Sequence, residues 1–177
     1  MKVLVVVDMQ NDFVSGSLGT KEAQSIVPAI MKKVENAAED FQTSVIFTLD
    51  THGDDYMQTQ EGKKLPVPHC IKNSFGWELI DELKKFAQEN TIEKNVFGSV
   101  RLPKVIEEMN RTAPIEEIEL CGLCTDVCVV SNAILLKNYL PEIKIIVNAR
   151  LCAGITPEKH YAALETMRSC QIEIVEK

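Results

Sequence analysis

Residues 2–8, KVLVVVD, form an unbroken apolar, largely β-branched run that ends in a carboxylate. A run without alternation predicts a strand buried on both faces of a parallel sheet. SVIFTLD (44–50) repeats the pattern, again ending in aspartate. NTIEKNVFG (90–98), IEEIELCG (115–122), IKIIVN (143–148) and QIEIVE (171–176) predict four further strands, the first of them short and followed by a turn. Between these runs the apolar spacing becomes helical. Ile26, Val27, Ile30, Met31, Val34, Ala37 and Ala38 form one stripe, which tolerates Pro28 if that residue falls in the first turn. WELIDELKKFAQ (77–88), LPKVIEEMN (102–110), TDVCVVSNAILLKNY (125–139) and TPEKHYAALETMRSC (156–170) read as further helices. Pro103 and Pro157 mark helix starts. Thr125 is the expected N-cap of its helix, which stops before Pro141. Residues 51–73 show no period and predict a long loop.

Strands and helices alternate along the whole chain. That order predicts an α/β fold: a three-layer, mainly parallel, six-stranded Rossmann-like sheet with helices on both faces, in a single domain spanning 1–177. Such sheets bind ligands beyond the carboxyl ends of their strands, near the topological switch point. No repeat, low-complexity segment or linker interrupts the order, and nothing like a GxGxxG phosphate fingerprint follows the first strand.

Charge and cysteine content narrow the field. Nineteen basic against 26 acidic side chains give a net charge of −7, which argues against nucleic acid and anionic membrane as partners, since both need clustered positive charge. Every apolar stretch falls short of the ~18–20 residues of a membrane span, and MKVLVVVDMQ meets Asp8 too early for a signal peptide. The expected location is the cytoplasm, where thiols stay reduced. Six irregularly spaced cysteines then read as buried small hydrophobes plus something reactive or metal-binding.

The strand ends gather chemistry. Asp8 ends the first, Asp50 the second with His52 two residues on, Lys94 lies in the third, and Cys121 ends the fourth with Cys128 in the following helical turn. A thiol at a helix start lies in the positive end of the dipole, which favours thiolate. Unpaired backbone N–H groups there can receive an oxyanion. A lysine could hold that thiolate and an aspartate take its proton; a small buried cysteine is the competing reading. D-x-H at a strand end puts Asp50 and His52 on one face, and His69 from the loop could complete an open facial set for zinc or iron. Two ordinary loop histidines compete with that reading. Glu61 is a candidate further ligand or a solvated loop carboxylate, and His160 reads as a surface or satisfied half-buried group. Cys121-Gly-Leu-Cys124 is formally CxxC, but a thioredoxin-like pair should open a helix, and a structural zinc site would need a second cysteine pair.

Four blocks, in order, carry a resemblance to the isochorismatase-like cysteine hydrolases, and within them to the nicotinamidases: VVVDMQNDFVSGSL, TLDTH with PVPHC, EKNVFGS, and CGLCTDVCV. The resemblance implies a catalytic set of Asp8, Lys94 and Cys128, and metal ligands Asp50, His52 and His69 for one divalent ion, zinc, with iron or manganese as alternatives. It further implies an oxyanion hole from the backbone N–H groups of Cys124 and Cys128, a cis peptide bond at Leu123–Cys124, and Phe13 stacked on a pyridine ring. The expected activity is hydrolysis of nicotinamide to nicotinate and ammonia through a cysteine thioester, and the family commonly forms homo-oligomers. Two alternatives stand beside it: hydrolysis of another small amide, ureido or carbamoyl substrate, and a thiol redox or metal-binding protein. The chain departs from the nicotinamidase pattern before His69, where Pro66-Val67-Pro68 replaces a frequent tryptophan; its one tryptophan is Trp77.

Overall fold

The computed structural model describes residues 1–87 and 90–176. The six predicted strands form one sheet, β1 (Lys2–Val7), β2 (Thr43–Asp50), β3 (Thr91–Lys94), β4 (Glu117–Leu123), β5 (Lys144–Ala153) and β6 (Glu173–Val175), in the order β3-β2-β1-β4-β5-β6. All neighbouring strands run parallel. The helices are α1 (Asn11–Val14), α2 (Lys21–Glu39), α3 (Gln60–Lys64), α4 (Asp81–Lys84), α5 (Arg101–Thr112), α6 (Val130–Tyr139) and α7 (Pro157–Ser169).

The alternation of strand side chains builds two cores. Val3, Val5 and Val7 point to one face, where they meet Leu102 and Ile106 of α5, Leu136 of α6 and Met167 of α7. Leu4 and Val6 point to the other, against Ile26, Ile30 and Val34 of α2. Because β1 is buried on both faces, it has no room for polar alternation, which is why its sequence is a continuous apolar run. Each such side chain contributes roughly 1.5–3 kcal/mol on burial. β1 lies between β2 and β4, so the chain builds outward one way, returns, and builds outward the other way. The crevice at the carboxyl ends of β1 and β4 is therefore the switch point.

Several boundaries differ from expectation for physical reasons. Thr20, whose hydroxyl accepts from Ala23 N at 3.0 Å, starts α2 early, so Pro28 falls in the helix interior, exposed, rather than in the first turn. The helix predicted over 77–88 is reduced to α4, and its last residue, Gln88, lies outside the described residues. Its first part is claimed by the segment after β1: Glu78 O accepts from Asn11 N, Ile80 N donates to Met9 O, and Gln10 pairs with Leu79. The loop over 51–73 contains a tight turn at Tyr56–Gln58 and α3, capped by the Thr59 hydroxyl on Gly62 N. β4 runs on to Leu123 and β5 to Ala153, the two pairing again past an irregularity between Leu120 and Gly122. Among the described residues, no helix is long and apolar enough to cross a membrane.

Candidate active site

Strand ends position the site. Asp8 leaves β1 with φ 48°, a left-handed conformation that aspartate tolerates better than most residues. Alongside, Gly122 has φ 114°, and a Cβ there would lie 2.1 Å from Val7 O. Only glycine lets β4 pass so close to β1 just before the chain turns toward Cys128. The next peptide bond but one, Leu123–Cys124, is cis. A wide turn then spans Thr125–Val129, closed by a hydrogen bond from Val129 N to Cys124 O at 3.1 Å. Turns of this i→i+5 kind are rare and concentrate at functional sites. Cys124, not Thr125, is the N-cap, and it makes no side-chain cap bond. The Thr125 hydroxyl is instead 2.8 Å from His160 Nδ1.

Asp8, Lys94 and Cys128 meet. Lys94 Nζ lies 2.7 Å from Asp8 Oδ2, 3.4 Å from Cys128 Sγ and 3.3 Å from Asp50 Oδ1. All four side chains are buried. The Thr48 hydroxyl donates to Asp8 Oδ1 at 2.6 Å, whereas Oδ2 faces the ammonium without a hydrogen bond of good geometry. Burial raises the Asp8 carboxyl, and the Lys94 charge only partly offsets it. Burial also pushes the Cys128 thiol well above its ordinary range, followed by the Asp8 charge, with Lys94 opposing. Helix position favours the thiolate, whereas burial opposes it, and the Lys94 ammonium lies 3.4 Å from the sulfur. For Lys94 burial acts the other way, but the charges of Asp8, Cys128 and Asp50 outweigh it and hold the amine protonated above its ordinary value.

A second cluster adjoins the first. One ligand atom each from Asp50, His52, Glu61 and His69 lies within 4.8 Å of the others. Asp50 Oδ2 is 3.1 Å from His52 Nε2 and 3.6 Å from His69 Nε2, and Glu61 Oε1 is 3.8 Å from both imidazoles. Four donors around one ion at ~2.1 Å stand about 3.4 Å apart, so this mixed nitrogen and oxygen set fits a divalent metal. His69 Nδ1 is fixed on Val67 O at 2.8 Å, leaving Nε2 to face the cluster. Burial would raise the Asp50 carboxyl, but His52, His69 and Lys94 hold it below the usual carboxylate range. Glu61 shifts upward, through burial and then the nearby Asp50 charge. Asp50 thus faces both clusters, one oxygen to each.

Between them lies a cavity of about 170 Å³, below the ~300–1,000 Å³ of drug-sized sites, so it suits a small molecule. Asp50, Glu61 and His69 line one wall, Cys124 and Cys128 another, with Phe13, Leu65, Phe97 and Ile155 around them. Phe13 packs 5.5 Å from the His69 ring. Trp77 does not line the cavity; its indole N–H donates to the Thr51 hydroxyl at 2.8 Å. Leu65 lines it in the segment before His69. Cys70 is fully buried, its thiol raised by burial, and packs among apolar side chains. Sequence reasoning passed over Thr48, Gln10 and Phe97. Gln10 is fully buried and brackets Asp50, accepting from its N–H at 2.7 Å and donating to its carbonyl at 2.8 Å. The signals were present: polar letters inside or just after apolar runs, and an aromatic three residues past Lys94.

A family model described as the isochorismatase domain matches residues 2–177. The chain belongs to the isochorismatase family. As a member it is a hydrolase, and some relatives match it over nearly their whole length. The nicotinamidase/pyrazinamidase of Mycobacterium tuberculosis is 29% identical, the match covering 99% of this chain and 98% of the relative. The crystal structure of a nicotinamidase/pyrazinamidase from Bacillus subtilis superposes with a TM-score of 0.83 at 27% identity, covering 99% of both chains. A pyrazinamidase of Pyrococcus horikoshii, solved in complex with zinc, gives 0.82 at 25% identity, again over 99% of each.

Proposed function

We propose that this isochorismatase-family hydrolase is a metal-dependent amidase that converts nicotinamide to nicotinate and ammonia through a thioester on Cys128. One observation carries the reading: a buried contact of thiol, ammonium and carboxylate, with Lys94 Nζ 3.4 Å from Cys128 Sγ and 2.7 Å from Asp8 Oδ2, opens onto a small apolar cavity whose other wall is the Asp50, Glu61 and His69 cluster. The relatives named for nicotinamide and pyrazinamide hydrolysis support the substrate class.

Asp8 takes the thiol proton as Sγ attacks the carboxamide carbon. Burial, which raises the Asp8 carboxyl, makes it a stronger base for that proton. The oxyanion is met by the backbone N–H groups of Cys124, which caps the turn, and Cys128, within it. The C–N bond breaks as Asp8 returns its proton to nitrogen, releasing ammonia. Water then attacks the thioester as Asp8 takes one of its protons, the C–S bond breaks to release the carboxylic acid product, and Asp8 returns the proton to the sulfur to restore the thiol. Lys94 keeps its charge throughout, steadying first the thiolate and then the Asp8 carboxylate. A divalent ion held by Asp50, His52, Glu61 and His69 would supply a Lewis-acid anchor for a ring nitrogen; zinc is the expected ion, with iron or manganese suited to the same donors. Phe13 would stack on the ring. The family match over residues 2–177 supports reading the chain as a single domain, and location in the cytoplasm and assembly as a homo-oligomer accompany this reading.

The test is ammonia release from nicotinamide by the metal-loaded protein, with and without chelator. Turnover that the chelator removes supports the assignment. A metal-loaded protein inactive on nicotinamide and pyrazinamide but active on a carbamoyl or ureido compound would replace it.

A further inference from the structure

The wide turn begins with two polar side chains, buried Thr125 and half-buried Asp126, that neither cap their own helix nor line the cavity. Thr125 is fully buried, and a buried hydroxyl needs a partner. Its partner is His160 Nδ1, at 2.8 Å, one turn into α7. Asp126, next in the turn, accepts the N–H of Ile155 on Oδ1 at 2.9 Å. Between these contacts Gly154 is so tightly enclosed that a Cβ would lie 2.9 Å from both Asp126 Oδ1 and the His160 backbone N. Gly154 and Ile155 line the cavity together with Cys124 and Cys128. The nucleophile's turn and the segment joining β5 to α7 are thus clamped together from both sides.

We propose that His160 is a positioning residue for the reaction: through the Thr125 hydroxyl it holds the wide turn that aims Cys128 Sγ at the substrate carbon. The inference rests on Cys128 being the nucleophile. A turn closed by i→i+5 bonds is uncommon and draws support from outside itself. Here α7 provides it, through a bond located three residues before the thiol. Burial pulls the His160 imidazole below its ordinary value, with Asp126 opposing, and its Nδ1 shares a hydrogen bond with the Thr125 hydroxyl. Attack geometry is sensitive enough for this to matter: displacement by ~1 Å can cost ~10²-fold in rate.

The test uses the metal-loaded full chain and two readouts, nicotinamide turnover and alkylation of Cys128 by iodoacetamide. His160→Ala should lower kcat ~10–100-fold with KM within about threefold of wild type, and slow alkylation in parallel. His160→Asn, which can place an amide oxygen near the Nδ1 position, should recover most of both. Thr125→Val should reproduce the loss, and the double variant should be no worse than either single one. Wild-type kcat in His160→Ala, failure of the asparagine to recover activity, or fully additive losses in the double variant would each overturn the proposal. If His160→Ala does not fold, Thr125→Val decides: lowered kcat with unchanged KM supports the clamp, wild-type kcat overturns it. If wild type has no turnover at all, the amidase reading fails while the alkylation arm still tests His160.

Discussion

At the scale of single residues, the site is a balance of desolvation against charge. Burial makes the Cys128 thiol and the Asp8 carboxyl weaker acids and would strip the Lys94 proton; the charges around Lys94 reverse that last effect. Removing the sulfur should therefore remove the reaction: Cys128→Ala is expected to lower kcat at least ~10³-fold, as for other covalent nucleophiles, measured as ammonia release at saturating substrate. Lys94→Met tests the balance itself. It leaves Asp8 and Asp50 buried with their common cation gone, so it should destabilise the fold by about 3–5 kcal/mol, read from the urea midpoint, besides abolishing turnover; an unchanged midpoint would show that the ammonium is not what holds the carboxylates. Most of these residues were legible because a polar letter at the end of an apolar run is conspicuous. Thr48 was not, since a hydroxyl inside SVIFTLD reads as ordinary strand, and its contact with Asp8 joins residues 40 apart. The desolvation of Cys128 was not legible for a related reason: helix position shows in a sequence, depth of burial does not.

At the scale of elements, legibility followed periodicity. The six strands and the helices α2, α5, α6 and α7 announced themselves, because packing against a sheet imposes a repeat on the sequence. Residues 51–87 did not, because their short elements are shaped by contacts with the β1–α1 segment and by the cluster around Asp50, which impose no repeat. That is why Glu61, on five-residue α3, looked like a loop carboxylate and yet stands with His52 and His69. Pro28 gives an element-scale prediction. In the interior of α2 it lacks the N–H that would reach Gln24 O, and its side chain is exposed. An interior proline is ~3 kcal/mol worse than alanine in a helix, less ~0.4–1 kcal/mol for the freedom proline removes from the unfolded chain. Pro28→Ala should therefore stabilise the protein by about 2 kcal/mol, seen as a higher urea midpoint with an unchanged slope. Destabilisation instead would mean that α2 uses the proline to follow the sheet.

At the scale of the whole molecule, the two halves of the sheet contribute different parts of the site. The strands on the β2 side of the switch point bring Asp50, Lys94 and the segment carrying His52, Glu61 and His69; β4, on the other side, brings Cys128; β1 ends between them in Asp8. In the proposed mechanism the metal cluster comes from one side and the nucleophile from the other, with Lys94 reaching across to Cys128, and the two roles are separable by experiment. Asp50 faces both, with Oδ2 toward the imidazoles and Oδ1 3.3 Å from Lys94 Nζ. If the metal serves only as an anchor, Lys94 keeps Asp8 and Cys128 in place without it, since Lys94 is closer to Asp8, at 2.7 Å, than to Asp50. Chelation should then abolish nicotinamide turnover while leaving the rate of Cys128 alkylation by iodoacetamide within about threefold, the size of effect expected when chemistry at the thiol is untouched. It should also lower Tm reversibly, because an ion bound only by the folded state adds its binding free energy to stability. Loss of alkylation together with turnover would give Asp50 a different part: metal binding would then set the place of Lys94, and through it the nucleophile, and the two halves of the sheet would work as one unit.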